Sequence, residues 1–145
     1  MHHRFFSVLL WGCLCALPTG NALASSDEPV DTRKLSCDIT YAGQTQHVSV
    51  APTSDPYRQT SIPIRNRFRF KAVHVQGDGV TPRIGIYVYF DTPQQPLLIQ
   101  HVLLQPPYPQ APTGTPVNLL GEQRLYAGPL ERELIYRCFL RQDTP

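Results

Sequence analysis

The segment from Arg65 to Phe90 constrains the fold most, because its residues alternate between two chemical classes. Phe68 and Phe70 alternate with four cations that we call the basic stripe: Arg65, Arg67, Arg69 and Lys71. Successive side chains of a β-strand point to opposite faces, so the alternation predicts a half-buried strand with cations on its outer face. Gly77-Asp78-Gly79 suits the positive φ angles of a chain reversal. The segment therefore predicts two long strands joined by a glycine turn.

The returning strand of this segment alternates as well. Its inward face is predicted to hold Ile84, Ile86, Val88 and Phe90. Tyr87 and Tyr89 then lie on the outer face, beside the basic stripe. Aromatic residues and arginine are enriched at protein interfaces. The basic stripe, Tyr87 and Tyr89 are therefore our first candidate binding residues.

The apolar face of the first strand changes parity between Phe70 and Val73. Phe70 is even-numbered, whereas Val73 and Val75 are odd-numbered, and a regular strand cannot place all three on one side. A β-bulge near Ala72 would add one residue and reverse the parity. We therefore predict a bulge there, with His74 turned outward beside the basic stripe.

The N-terminus predicts export. A basic start is followed by an apolar run, Phe5 to Leu17, that is too short to span a bilayer. Ala22-Leu23-Ala24 matches the small-x-small pattern of a signal-peptidase site, so residues 1–24 are predicted to be a signal peptide cleaved after Ala24. The alternative is a lipoprotein signal ending at Cys13, which the bulky Trp11 disfavours.

The remaining chain is predicted to have a polar, flexible N-terminus, residues 25–34, and a single β domain, residues 35–145. Only Arg4 of the 13 Lys and Arg residues lies in the signal, so 12 cations remain against 11 Asp and Glu, a formal net charge of +1. This balance provides no bulk attraction to nucleic acid. No second apolar span follows the signal, so we expect no transmembrane segment in the mature protein.

Further strands are predicted on either side of the central segment. Leu35–Ala42 and Gln46–Ala51 alternate and are predicted to form a hairpin, and Pro52 to Pro63 is predicted to be a loop. Pro96 to Gln105 is apolar on both faces, which favours a central strand buried on both sides. A short strand is expected within Val117–Tyr126.

The last predicted strand, Glu131–Arg141, completes seven or eight short strands with no sustained helical period. This pattern predicts an all-β fold. We expect an antiparallel β-sandwich, of immunoglobulin-like or transthyretin-like form, or a small barrel.

Two cysteines follow the signal, Cys37 on the inward face of the first strand and Cys138 on that of the last. Export would place them in an oxidising compartment, which predicts a disulfide that ties the two ends of the domain together. A redox or metal pair is the alternative, but the cysteines are far apart in sequence and form no CxxC motif.

The sequence provides little support for catalysis or metal binding. The spacing of His47, His74 and His101 matches no ligand motif, and we expect His101 in the core and the other two on the surface. No G-x-S-x-G motif or evident carboxylate pair is present. We therefore expect no metal, no cofactor and no enzymatic activity.

Alternate residues of a strand are ~6.8 Å apart, so the basic stripe would line ~20 Å of one face. The functional interpretation is that it binds an anionic partner, either an acidic protein surface or an anionic envelope polymer. The alternative is an ordinary solvated face whose cations pair with Glu131 and Glu133 of the last strand. A second candidate contact is Tyr108, in the five-proline loop Gln105–Pro116. The alternative for this loop is a rigid connector.

In size, signal and cysteines near both ends, the chain resembles in outline the small periplasmic inhibitors of C-type lysozyme, which form a small disulfide-bonded barrel. Their serine-glycine-rich loop leading into Ala-Arg-Tyr is absent, so no residue role is transferred. We predict an exported, non-enzymatic binding module of the bacterial cell envelope, periplasmic or secreted. An inhibitor of a hydrolase and a small envelope enzyme are the alternatives.

Overall fold

The computed structural model describes residues 31–112 and 114–142, which contain eight β-strands and one short 3₁₀ helix. The predicted signal peptide and most of the predicted flexible segment, residues 25–34, lie outside the described residues. The elements in chain order are β1 Lys34–Tyr41, β2 Gln44–Val50, the 3₁₀ helix Pro56–Arg58, β3 Ile62–Ile64, β4 Phe68–Val75, β5 Arg83–Asp91, β6 Pro96–Leu104, β7 Val117–Ala127 and β8 Arg132–Arg141.

The strands form two antiparallel four-stranded sheets. The first has the spatial order β2-β1-β8-β7, and the second has the order β3-β4-β5-β6. This architecture confirms the predicted all-β fold and is that of a β-sandwich. It leaves β2 and β7 at the edges of the first sheet, and β3 and β6 at the edges of the second.

The first sheet is built on the two strands whose alternation is clearest in the sequence. Alternate residues of β1, and of β8 from Leu134 onward, are inward-facing and buried, as predicted: Leu35, Cys37, Ile39, Tyr41, Leu134, Tyr136, Cys138 and Leu140. Opposite them, the second sheet contributes Phe68 and Phe70, whose rings make edge-to-face contacts with Tyr41 and Tyr136 at centroid distances of 5.3 Å in both cases. These aromatic pairs join the two sheets at the centre of the core.

The predicted disulfide between Cys37 and Cys138 is confirmed. The two residues are direct partners in the register of β1 and β8, and their Cα atoms are 4.2 Å apart. Both cysteines lie in one sheet, whereas the conserved disulfide of antibody domains joins two sheets. Because the cysteines are separated by 101 positions, the bond ties the first strand to the last.

Two tight turns have a positive φ at both central residues, the signature of the two-residue type I′ hairpin. Ala42 and Gly43 join β1 to β2 in this way, as the sequence predicts. Three residues, Arg65 to Arg67, join β3 to β4; Arg65 and Asn66 have φ of 46° and 52°, and a hydrogen bond from Arg67 N to Ile64 O closes the turn. The prediction of a strand beginning at Arg65 is therefore wrong, because the strand starts only at Phe68.

The predicted bulge near Ala72 is also wrong. β4 pairs with β5 in unbroken register from Phe68 opposite Phe90 to Val75 opposite Arg83. His74 therefore shares the inward face with Phe70 and is fully buried rather than outward-facing. Val73 and Val75 point away from the core and are buried as well.

The segment between β2 and β3 explains why Val73 and Val75 suggested a bulge in β4. Thr53 donates its N–H to His74 O and accepts a hydrogen bond from Gln76 N, both at 2.9 Å. The 3₁₀ helix of the same segment lies against β4. Both faces of this end of β4 are therefore buried, and no parity change is needed. The loop predicted for Pro52–Pro63 also supplies the short strand β3 at its end.

The second sheet ends at β6, so the prediction of a central strand buried on both sides is wrong. Within the part of the chain that the structure describes, β6 pairs only with β5, and Leu97, Leu98 and Leu103 are 48–55% exposed. The sheet's one register shift lies here, opposite Val88 and Tyr89, where Ile99 is the extra residue of a bulge. The predicted core position of His101 is wrong too, since this residue is exposed.

The short strand expected within Val117–Tyr126 is the eleven-residue edge strand β7. The last strand begins at Arg132 rather than at Glu131. Glu131 has a φ of 45° and belongs to the turn between β7 and β8.

We predict that the disulfide carries much of the stability of the domain. Closing a loop of this length corresponds to about 4–5 kcal/mol in the chain-entropy model. The double variant Cys37→Ala/Cys138→Ala should therefore have a free energy of unfolding lower by several kcal/mol in a denaturant titration. Unfolding free energies that agree within about 0.5 kcal/mol would contradict this role.

Candidate interaction surface

The outer face of the second sheet carries aromatic and cationic side chains on three adjacent strands. We call this surface the aromatic–cationic face and define it by five residues: Arg69, Lys71, Tyr87, Tyr89 and His101. The register places Arg69 opposite Tyr89, and Lys71 opposite Tyr87, which in turn lies opposite His101. The predicted placement of both tyrosines beside the basic strand is thus what the structure shows.

One row of this face is held together by ring contacts. The Nζ atom of Lys71 lies 5.7 Å from the centroid of the Tyr87 ring, within the range of a cation–π contact. His101 stacks on Tyr87, with centroids 4.3 Å apart and an interplanar angle of 11°. A Cβ atom on Gly85 would lie only 3.0 Å from this ring, so the glycine leaves room for the ring along β5. Tyr87 is therefore positioned before any partner binds.

The basic stripe does not form a single row of free charges. Arg69 donates through Nε to Asp91 at 2.6 Å, so its charge is matched within the sheet. Arg65 and Arg67 are exposed, but they belong to the β3–β4 turn and not to the strand. Lys71 is the stripe residue that lies on the strand and is engaged by an aromatic ring. The structure thus divides the stripe into a turn pair and a strand pair.

The outer face of the first sheet is organised differently, as an ion-pair network. Glu122 accepts hydrogen bonds from Arg137 and Arg124, and these bonds hold the pKa of its carboxyl below the usual value. Glu133 accepts from Tyr126 at 2.6 Å and from Arg124 at 2.8 Å. The alternative in which Glu133 pairs with the basic stripe is therefore wrong, because its partners lie on β7. Glu131 lies in the turn before β8.

Tyr108, the other candidate binding residue, is 7% exposed and belongs to the core. Its ring meets the ring of His74 edge to face, with centroids 6.1 Å apart. Arg33 donates through Nη1 to Pro109 O at 3.2 Å, and it also forms an ion pair with Asp31. The flanking residues of the proline-rich loop are exposed, so this loop would meet a partner through those residues rather than through the Tyr108 ring.

A pocket of about 340 Å³ opens beside this loop, lined in part by Asp31, Arg33, Gln76 and Tyr108. Behind it, His74 is fully buried. With its amide oriented by its partners, Gln76 donates to His74 Nε2 at 3.3 Å and to Asp31 O at 2.8 Å. His74 Nδ1 has no hydrogen-bond partner among the described residues.

Burial holds the pKa of the His74 imidazole below its usual value. The neighbouring Asp31 carboxylate opposes this shift, and the Arg33 guanidinium adds to it. The neutral ring therefore fits the site, since Nε2 can accept the hydrogen bond from Gln76.

Sequence reasoning missed three residues that shape the aromatic–cationic face. Asp91, Gly85 and His101 each act through a cross-strand neighbour or a nearby ring, so their roles depend on register. The alternation of β5 would have placed Gly85 beside Tyr87, and no signal in the sequence marks His101 as its stacking partner.

No cluster of three His, Cys, Asp or Glu side chains suited to a metal ion occurs within residues 31–112 and 114–142. In the same part of the chain no helix has the length and apolar character needed to cross a membrane. No protein-family model, no curated protein and no solved structure matches this chain. The geometry of the surfaces is therefore what bears on the function of this protein.

The buried His74 predicts a loss of stability in mild acid. Its pKa is lowered on folding, so the unfolded chain binds more protons once the pH falls below the unfolded value of about 6.5. The free energy of unfolding should therefore decrease as the pH falls below about 6.5, by at most about 1.4 kcal/mol per pH unit from this residue.

The variant His74→Phe keeps an aromatic ring against Tyr108 but cannot titrate. Denaturant titrations at several pH values below about 6.5 should show that the free energy of unfolding depends less on pH in the variant than in the wild type. Parallel curves for the two proteins would mean that His74 is not the responsible group.

Proposed function

We propose that this protein is a non-enzymatic binding module that engages an acidic segment of another protein through the aromatic–cationic face. The row formed by Lys71, Tyr87 and His101 supports this proposal most strongly. Its side chains are already ordered against one another, which lowers the entropy lost on binding. Tyrosine offers a large contact area with few rotatable bonds, and the lysine offers a charge for an acidic partner.

The composition of the face favours a protein partner over an anionic polymer. A polymer of carboxylates or phosphates is held mainly by unneutralised cations, whereas Arg69 is already matched by Asp91. Tyr89 and the exposed Leu98 lie opposite each other and add apolar area next to the charges. Such a mixture of aromatic, apolar and cationic groups is typical of protein interfaces.

We also propose that the module acts outside the cytoplasm, in the periplasm or as a secreted protein. The disulfide between Cys37 and Cys138 supports this location, since such bonds persist in oxidising compartments and are rare in reducing ones.

Photo-cross-linking in the producing cell tests the proposed face. A benzoylphenylalanine at position 89, replacing Tyr89, should form a discrete adduct with one partner protein. The matched control carries the same group in place of Phe139, a half-buried aromatic residue on β8 of the first sheet. Adducts of the same proteins at both positions, or none at position 89, would contradict the proposal. The identity of the partner would also show whether it is an envelope hydrolase.

A charge reversal tests the electrostatic part of the proposal. Lys71→Glu should reduce the yield of the position-89 adduct several-fold, because a like charge now faces the acidic partner. Arg141→Glu is the matched control, since Arg141 lies 5.5 Å from the Phe139 ring in the first sheet. Circular dichroism would establish that both variants are folded.

Anionic lipid is the competing target, and vesicles give the distinguishing result. Binding of the purified protein to phosphatidylglycerol vesicles but not to phosphatidylcholine vesicles, abolished by Lys71→Glu, would replace the protein partner with a membrane surface. Equal loss of the adduct in Lys71→Glu and Arg141→Glu would mean that the partner does not bind through the aromatic–cationic face.

A further inference from the structure

The four edge strands of this sandwich differ in how they are protected from pairing with another strand. Exposed edges commonly carry charges, proline, irregular pairing or very few residues. β3 has only three residues, with Pro63 in the middle. β7 carries Glu122 and Arg124, and its register with β8 shifts twice. β2 presents polar side chains along most of its length.

β6 lacks most of these features. It is nine residues long and contains no Lys, Arg, Asp or Glu. Its exposed side chains include Leu97, Leu98 and Leu103, at 55%, 48% and 49% exposure. Its bulge at Ile99 is the only irregularity, and Pro96 occupies only the first position. Among the described residues, β6 pairs with no strand other than β5.

The sequence of β6 is nearly the same in both directions. Read forwards from Leu97, the strand is Leu-Leu-Ile-Gln, and read backwards from Leu104 it is Leu-Leu-Val-His. Leu97 therefore corresponds to Leu104, Leu98 to Leu103 and Ile99 to Val102. A two-fold axis pairs residue i of one copy with residue j of the other, and j with i, so this correspondence brings similar side chains opposite each other. Two antiparallel copies of β6 would therefore place leucine opposite leucine.

The bulge makes this correspondence hold in three dimensions. In a regular strand, residues 98 and 103 would point to opposite faces, because one number is even and the other is odd. Here Leu98 lies opposite Tyr89 and Leu103 opposite Gly85, so both lie on the outer face. Leu97 and Leu104 lie opposite Phe90 and Ile84 and share the inward side. The correspondence fails only at the centre of the strand, beside the two-fold axis, where Gln100 and His101 lie on opposite faces of the sheet.

From these observations we propose that two copies of the protein associate through their β6 strands, which join the two second sheets into one eight-stranded antiparallel sheet. The charges agree with a second copy as the occupant, because neither edge brings a formal charge opposite a like charge. The two-fold axis also leaves only the short, proline-containing β3 strands at the ends of the joined sheet, so association stops at two copies.

The size of the contact sets the expected strength. A strand of this length spans about 30 Å, and one edge buries less than the ~800 Å² per partner of a typical stable complex. The dimer should therefore be weak and concentration-dependent. It would also place two aromatic–cationic faces on the same side of one sheet, so that a partner with two acidic segments binds with increased avidity. The association itself does not depend on the proposed function.

Sedimentation velocity of the disulfide-bonded protein tests the association. Over about 1 to 500 µM, the range in which a contact of this size should dissociate, the weight-average mass should rise from one copy towards two. Leu98→Lys places two like charges at the paired edges and should keep the protein monomeric throughout. Leu130→Lys is the matched control, since Leu130 is 71% exposed in the β7–β8 turn, and it should behave as the wild type.

Several outcomes would overturn the dimer. A protein that stays monomeric across the range, or whose dimer survives Leu98→Lys, does not associate through β6. A monomer that gives a photo-adduct with a foreign protein from position 98 would show that the edge receives another chain's strand. Open-ended assembly beyond two copies would contradict a closed two-fold contact.

Discussion

The unbroken pairing of β4 with β5 determines which side chains lie on each face of the second sheet. It fixes the inward face of β4, where Phe68 and Phe70 meet the aromatic rings of the first sheet. The same register turns Lys71 towards Tyr87 on the opposite face. A one-residue slip would exchange these faces, exposing phenylalanine and burying a lysine. The core and the proposed binding surface are therefore two consequences of one pairing.

The outer faces of the two sheets differ in how their charged side chains are paired. On the first sheet, acidic and basic residues such as Glu122 and Arg137 satisfy one another, and little charge is left for a partner. On the second sheet, Lys71 rests on a ring and has no carboxylate partner among the described ion pairs. The disulfide joins β1 to β8 within the first sheet and does not cross-link the strands of the second sheet. This asymmetry is the physical reason for placing the function on the second sheet.

Sequence reasoning succeeded where a strand has one buried and one solvated face. Leu35 in β1 and Leu134 in β8 begin alternations that the structure confirms, and the cysteines follow from the same alternation. Sequence reasoning failed for β4 and β6, which have apolar residues on both faces, and the reason differs between the two strands. Val73 and Val75 are buried away from the core, beside the segment that contains Thr53, which no local pattern reveals. The apolar run of β6 looked like a central strand, although it lies at an edge whose outer side is exposed.

One register of β4 both buries His74 and turns Lys71 outward, onto the proposed binding face. Diethylpyrocarbonate labelling of the native protein, read by peptide mass spectrometry, tests it most directly. His47, whose side chain is 74% exposed, and the exposed His101 should react readily. His74, which is fully buried, should react only when the protein unfolds. Labelling of native His74 at the rate of His101 would mean that β4 is turned over at this point, and the account of the binding face would then be wrong.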